Sequence, residues 1–215
     1  MERNGGVMID PSEFEQRRSP SALREFVHAR SEAIRANPDA RELGTLKKGA
    51  YKKYVEELVP LSCFAVLTYP DSYEVQLVLG NQGFDARVFD EVGREVDRVE
   101  ITTPHDGRAA SQDAALVVEK GFGKVSVGKP GEDFDRLVEH VLSICRKKAC
   151  ADYNECTLVV AIEPLQPFPG FEDRYESRVE ALVSRIQQIP FKAKRVFLLV
   201  LPDRLESVSS PQPRF

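Results

Sequence analysis

The chain has 215 residues, 42% hydrophobic and 30% charged, with 30 basic and 34 acidic side chains and a net charge of −4. That balance belongs to a globular protein, excludes a disordered one, and gives no bulk basic charge that would itself announce nucleic-acid binding. No apolar run nears the roughly 20 residues of a membrane helix. The N-terminal MERNGGVMIDPSEFEQRR has no signal-peptide core, so a cytoplasmic protein without membrane contact is expected.

The predicted organisation is a flexible leader over 1–11, one α/β domain over 12–206, and a Ser/Pro-rich flexible tail over 207–215. Within the domain, N-terminal helices fill 12–58, a meander fills 61–103 and a helix-and-strand half fills 131–202. Ser19 and Pro20 read as N-cap and first helical position. Leu23, Phe26, Val27 and Ile34 recur at helical spacing until Asn37-Pro38. A second helix is predicted from about Thr45 to Leu58, with Tyr51, Tyr54, Val55 and Leu58 as its stripe.

The apolar run CFAVLTYP at 63–70, bounded by prolines, opens the strand-rich block and reads as a strand. YEVQLVLG at 73–80 and FDARVFD at 84–90 alternate, as does EVDRVEITT at 95–103 after the turn residues 90–93. A helix near 109–119 and a strand at 124–127 follow. Phe134, Leu137, Val138, Val141, Leu142 and Cys145 mark an amphipathic helix, and Tyr175, Val179, Leu182, Val183 and Ile186 mark another. TLVVAIEP at 157–164 and RVFLLVLP at 195–202 are continuous apolar runs, as in parallel strands buried on both faces. This order predicts a mixed central sheet flanked by helices.

Alternation in the 84–103 hairpin puts Phe84, Ala86 and Val88 on the core side with Val99 and Ile101. Asp85 and Arg87 then share the other face with Arg98, Glu100 and Thr102. A four-residue loop of Glu91 to Arg94 sets Asp85 opposite Glu100, whereas a two-residue loop sets them diagonally, about 7–8 Å apart. In either register two carboxylates reach one hard divalent ion such as Mg²⁺. The plainer expectation is an exposed hairpin face on which these charges pair across strands for about 0.2–1 kcal/mol each.

An Asp on the second strand of a meander, followed by an acid on the third, resembles the core of the restriction-endonuclease-like PD-(D/E)xK superfamily. Asp85 in GFDARVFD and Glu100 in VEITTPHDG carry the resemblance, which spans roughly residues 45–163. It implies a Mg²⁺-dependent nuclease hydrolysing phosphodiester bonds in nucleic acid. Asp85 and Glu100 would be the metal ligands, and Glu56 or Glu57 on the preceding helix a third acid. Many nucleases of this fold are dimers. The family's lysine position is Thr102, which carries no charge. Arg87 is the nearest replacement, with Lys52, Arg108 and Lys120 as others. Without a replacement cation, the resemblance implies an inactive binding or scaffolding module. A third reading is an α/β protein unrelated to nucleases.

His105 follows Glu100 closely and is a secondary candidate for a base or ligand, although Pro104, Asp106 and Gly107 around it are turn formers. Cys145, Cys150 and Cys156, with His140 upstream, lack the tight paired spacing of a zinc site and read as buried, inert thiols. Lys47, Lys48, Lys52 and Lys53 form a basic cluster that Glu56 and Glu57 are placed to neutralise along the helix. Phosphate-binding glycine loops of the G-x-x-x-x-G-K-[ST] and G-x-G-x-x-G kinds are absent from the sequence.

Overall fold

The computed structural model describes residues 9–104, 107–120, 130–163 and 172–208, with the side chains of 107–113, 130–134 and 172–175 left aside. A short 3₁₀ turn, Pro11–Glu15, leads to helix α1 at Pro20–Ala36. The Ser19 hydroxyl caps α1 by accepting the Ala22 N–H at 3.3 Å, with Pro20 at the first position, as the sequence predicts. Asn37 then caps α2, Pro38–Thr45, through the Ala40 N–H.

The next helix departs from expectation. It begins as α3, Ala50–Lys53, widens into a π turn at Tyr54–Leu58, and continues as α4, Val59–Thr68. The predicted strand at 63–70 is therefore helical for most of its length. Periodicity cannot separate a short apolar run in a strand from a helix buried all round, and here Leu61, Ser62, Cys63, Phe64 and Ala65 are all buried. Pro60 has no N–H to return to the preceding turn, which accounts for the widening before it. The Val59 N–H reaches back five residues to the Tyr54 carbonyl.

Strands β1 (Glu74–Leu77), β2 (Ala86–Phe89) and β3 (Glu95–Thr102) form the meander. Helices α5 (Gly107–Lys120) and α6 (Pro130–Ala149) precede β4 (Asp152–Ile162). Helix α7 (Glu172–Ile186) leads to β5 (Lys192–Val200), and β6 (Arg204–Ser207) closes the chain's described part. The predicted strand at 124–127 lies outside the described residues. Strand β6 begins inside the predicted domain, and Val208 beyond it is buried, as is Ile9 at the other end.

The strands form one mixed sheet in the order β1-β2-β3-β4-β5-β6. The meander is antiparallel, β3, β4 and β5 run parallel, and β6 is antiparallel to β5. The chain is thus an α/β protein with a mixed sheet between helices. On one face Val75, Leu77, Ala86, Val88, Val99 and Ile101 pack with Phe14, Leu23, Leu58, Leu61 and Phe64 of the N-terminal half. On the other, Leu158, Val160, Val196 and Leu198 pack with Val141, Leu142, Leu182 and Ile186 of α6 and α7. Side chains of β4 serve both faces, Val159 and Ala161 the first and Leu158 and Val160 the second, which explains its unbroken apolar run. Among the described residues, no side chain of β1–β3 joins the second cluster, although Lys148 at the end of α6 reaches Glu100 of β3. No helix among the described residues is long and apolar enough to cross a membrane.

Candidate functional site

The hairpin register pairs Ala86 with Val99 and Arg87 with Arg98, with a bulge between Val88 and Phe89. Ala86, Val88, Val99 and Ile101 are buried on the core side, as the alternation predicts. Asp85 stands at the mouth of this ladder. Its N–H donates to the Val99 carbonyl at 2.8 Å, and its Oδ2 accepts the Ile101 N–H at 2.8 Å. The carboxylate thereby satisfies a strand N–H at the point where β2 and β3 part, so helices on both faces of the sheet reach it.

From one side comes the π turn. Glu57 lies on it, and Lys53 one turn earlier contacts Glu57 at 2.7 Å and Asp85 at 4.0 Å. The Glu57 and Asp85 carboxyls face one another and act on each other's titration. From the other side comes the last turn of α6. Lys148 Nζ donates to Glu100 Oε1 at 2.6 Å and to the Tyr153 hydroxyl at 3.2 Å. A lysine in the last turn of a helix also sits favourably against the helix dipole.

These groups are largely shielded: the side chains of Glu57, Asp85 and Glu100 are 18%, 16% and 13% exposed. Burial and the Asp85 charge push Glu57 up to about 7, even with Lys53 opposing the shift. Burial also raises Asp85, against the Ile101 N–H and the two lysines. Glu100 is raised by burial and by repulsion from Asp85, against the pull of Lys148. Lys148, held by Glu100, stays protonated above the usual lysine range despite its burial. Desolvated carboxylates in mutual repulsion make this cluster a candidate functional site.

The other predicted residues are placed differently. Glu56 points away to Lys47 at 3.2 Å and Lys52 at 4.0 Å, so the helix acid that meets Asp85 is Glu57. Arg87 turns to Glu95 at 3.5 Å and does not replace the missing lysine. Thr102 is buried in the β3–β4 ladder opposite Val160. Phe84 was expected on the core side, but its ring lies beside the Arg87 and Arg98 guanidinium groups. Residues 84 and 85 precede the strand, where alternation no longer governs direction. Lys120 is exposed at the end of α5. His105 and the Arg108 side chain lie outside the description.

Cys145 and Cys156 are buried as expected, whereas Cys150 is exposed. Among the described residues no three His, Cys, Asp or Glu side chains form a ready-made metal cage. Neither a family model, nor a curated protein, nor a solved structure matches this chain.

Lys148 is the residue the sequence reading missed. The basic run Arg146-Lys147-Lys148 just before β4 was its only trace. The parallel pairing of β4 with β3, Glu100 beside Leu158, brings the end of α6 back to the hairpin.

A separate buried cluster joins the strands below the site. Asp97, its side chain 2% exposed, accepts hydrogen bonds from the hydroxyls of Tyr69 and Thr157 at 2.7 and 2.8 Å. Lys194 pairs with it at 3.1 Å, and Arg195 pairs with its other oxygen. It links β3, β4 and β5 to the end of α4.

Proposed function

We propose that the chain is a restriction-endonuclease-like, Mg²⁺-dependent phosphodiesterase acting on nucleic acid. The observation carrying this reading is Lys148 at 2.6 Å from Glu100, beside Asp85. It supplies from α6 the cation that Thr102 cannot. The antiparallel meander followed by parallel β3 and β4 also supports the reading.

The donor set fits a hard divalent cation. Asp85 and Glu100 offer carboxylate oxygens whose repulsion a cation would relieve, with Glu57 as a third acid. The absence of a ready-made cage among the described residues is compatible with Mg²⁺, which usually takes one or two carboxylates and completes its shell with water and phosphate oxygens. When bound, Mg²⁺ polarises a phosphoryl oxygen and acidifies a water. The Ile101 N–H holds Asp85 in one orientation. Lys148 keeps a proton donor and a positive charge at Glu100, where an attacking water or a phosphate oxygen would be oriented. Glu57, near neutrality in its titration, is suited to accept a proton.

The test is calorimetry with Mg²⁺ and Mn²⁺ on the wild type, Asp85→Ala and Glu100→Ala, followed by a hydrolysis screen on DNA and RNA. Binding lost in both variants supports the shared carboxylate site. Lys148→Met is expected to keep metal binding and to lose about a hundredfold or more in hydrolysis. Wild-type protein that binds no metal, alone or with nucleic acid, sinks the reading.

One observation favours a non-catalytic module of the same fold. Lys53 and Lys148 already pair with Glu57 and Glu100, and burial holds Glu57 toward its neutral form. A neutral, self-satisfied cluster needs no metal. Nucleic-acid binding without hydrolysis or metal uptake would select that alternative.

A further inference from the structure

The face of the meander turned away from the N-terminal helices carries a second arrangement, beside Asp85 in the chain. The half-buried Phe84 ring has the Arg98 and Arg87 guanidinium carbons 5.3 and 5.5 Å from its centroid. Both arginines lean on one carboxylate: Glu95 meets Arg98 at 2.6 Å and Arg87 at 3.5 Å. Glu155 also lies near enough to act on Arg98, so the two guanidinium groups are paired with carboxylates on one side and offer their outer N–H groups on the other. The arginine side chains are 42% and 43% exposed, so both guanidinium groups are open to solvent in part. The Arg87 Nε is itself buried and makes no hydrogen bond, so Arg87 offers its exposed terminal N–H groups. A similar pair, Arg17 at 3.5 Å over the Phe89 ring, sits at the other end of β2.

We propose that this face binds single-stranded nucleic acid, with Phe84 as the platform for an unpaired base and Arg87 and Arg98 as its phosphate contacts. The inference rests on the nucleic-acid reading above and narrows its substrate class. Aromatic rings and guanidinium planes stack on the π-face of any base. In a duplex those faces are hidden within the stack, so a platform of this kind selects unpaired nucleotides. The arginines keep their charge while lying beside a ring, and so remain available to the backbone. The position next to Asp85 would lead the strand toward the carboxylates. If the cluster only braced the hairpin, changing the ring would leave nucleic-acid affinity unaltered.

Fluorescence anisotropy in EDTA tests the platform apart from metal and cleavage. The probes are short labelled single strands of DNA and of RNA, and the duplex of the same sequence. A single strand of either kind is expected to bind more tightly than the duplex. Phe84→Leu, which keeps an apolar filler, is expected to weaken it about tenfold, while Phe84→Tyr retains it. Arg98→Gln is expected to reduce the salt slope by about 0.7, the contribution of one phosphate contact. Absence of binding, preference for the duplex, or wild-type affinity in a folded Phe84→Leu protein overturns the proposal. Single-strand binding without hydrolysis in Mg²⁺ would sink the nuclease reading and leave the platform standing. Hydrolysis with an indifferent Phe84 would do the reverse.

Discussion

Lys148 Nζ donates to Glu100 Oε1 at 2.6 Å across 48 positions of sequence, and both side chains are mostly buried. The pair ties the end of α6 to the middle of β3. Removing the lysine leaves a desolvated carboxylate without its cation. Lys148→Met should therefore cost roughly 1–3 kcal/mol in urea unfolding, and Lys148→Met combined with Glu100→Gln should recover part of the loss. Equal stability of the single variant and wild type would mean that solvent already screens the pair.

Glu57 makes stability depend on pH in a defined direction. Its pKa is 4.5 ordinarily and about 7 in the folded chain, through burial first and the Asp85 charge second. The folded state thus holds a proton that the unfolded state has released between these values. Stability from this group is full below about 4.5 and is lost as pH rises through about 7. Wild-type Tm minus that of Glu57→Gln should fall across this window. A difference that is flat or rises with pH contradicts the raised titration of Glu57.

The two neighbouring acids of the π turn should separate in metal titrations. Glu56 is engaged by Lys47 and Lys52, whereas Glu57 faces Asp85. Glu56→Ala is expected to leave Mn²⁺ affinity within about twofold of wild type, while Glu57→Ala alters it by about tenfold, a step of 1.4 kcal/mol. The reverse order would place the cation on the other side of the helix.

Asp97 should matter more to stability than either surface charge it meets. Asp97→Asn leaves Lys194 and Arg195 facing a neutral amide in a buried setting. The expected loss is about 2–4 kcal/mol, below the 3–5 of a fully buried pair because both cations are partly exposed. Tyr69→Phe removes one hydrogen bond and should cost about 1 kcal/mol. Denaturant unfolding measures both, and a loss in Asp97→Asn no larger than in Tyr69→Phe would show the cluster to be solvated.

The fold class was legible because period-two alternation and long apolar runs are local. Ala86, Val88, Val99 and Ile101 turned inward as their spacing required. The segment 63–70 was not legible, because burial on all sides removes the polar face that would mark a helix. Asp85 and Glu100 were readable as neighbours since a hairpin is a short-range object. Asp97 falls on the same alternation as Val99 and Ile101, and a carboxylate on an apolar face is itself a signal of a buried partner.

By itself the sequence determined the helix cap at Ser19, the helix stop at Asn37-Pro38, the hairpin, the apolar faces of β4 and β5, and two carboxylates within reach of each other. These follow from φ/ψ preference and side-chain period, which act over a few residues. Only the tertiary structure decided which helix acid and which cations meet them. Lys148 reaches Glu100 because β4 pairs parallel with β3, and a parallel pair needs a crossover that carries α6 back over the sheet. Glu57 rather than Glu56 meets Asp85 on the π turn that precedes Pro60, a register that helical periodicity alone does not encode.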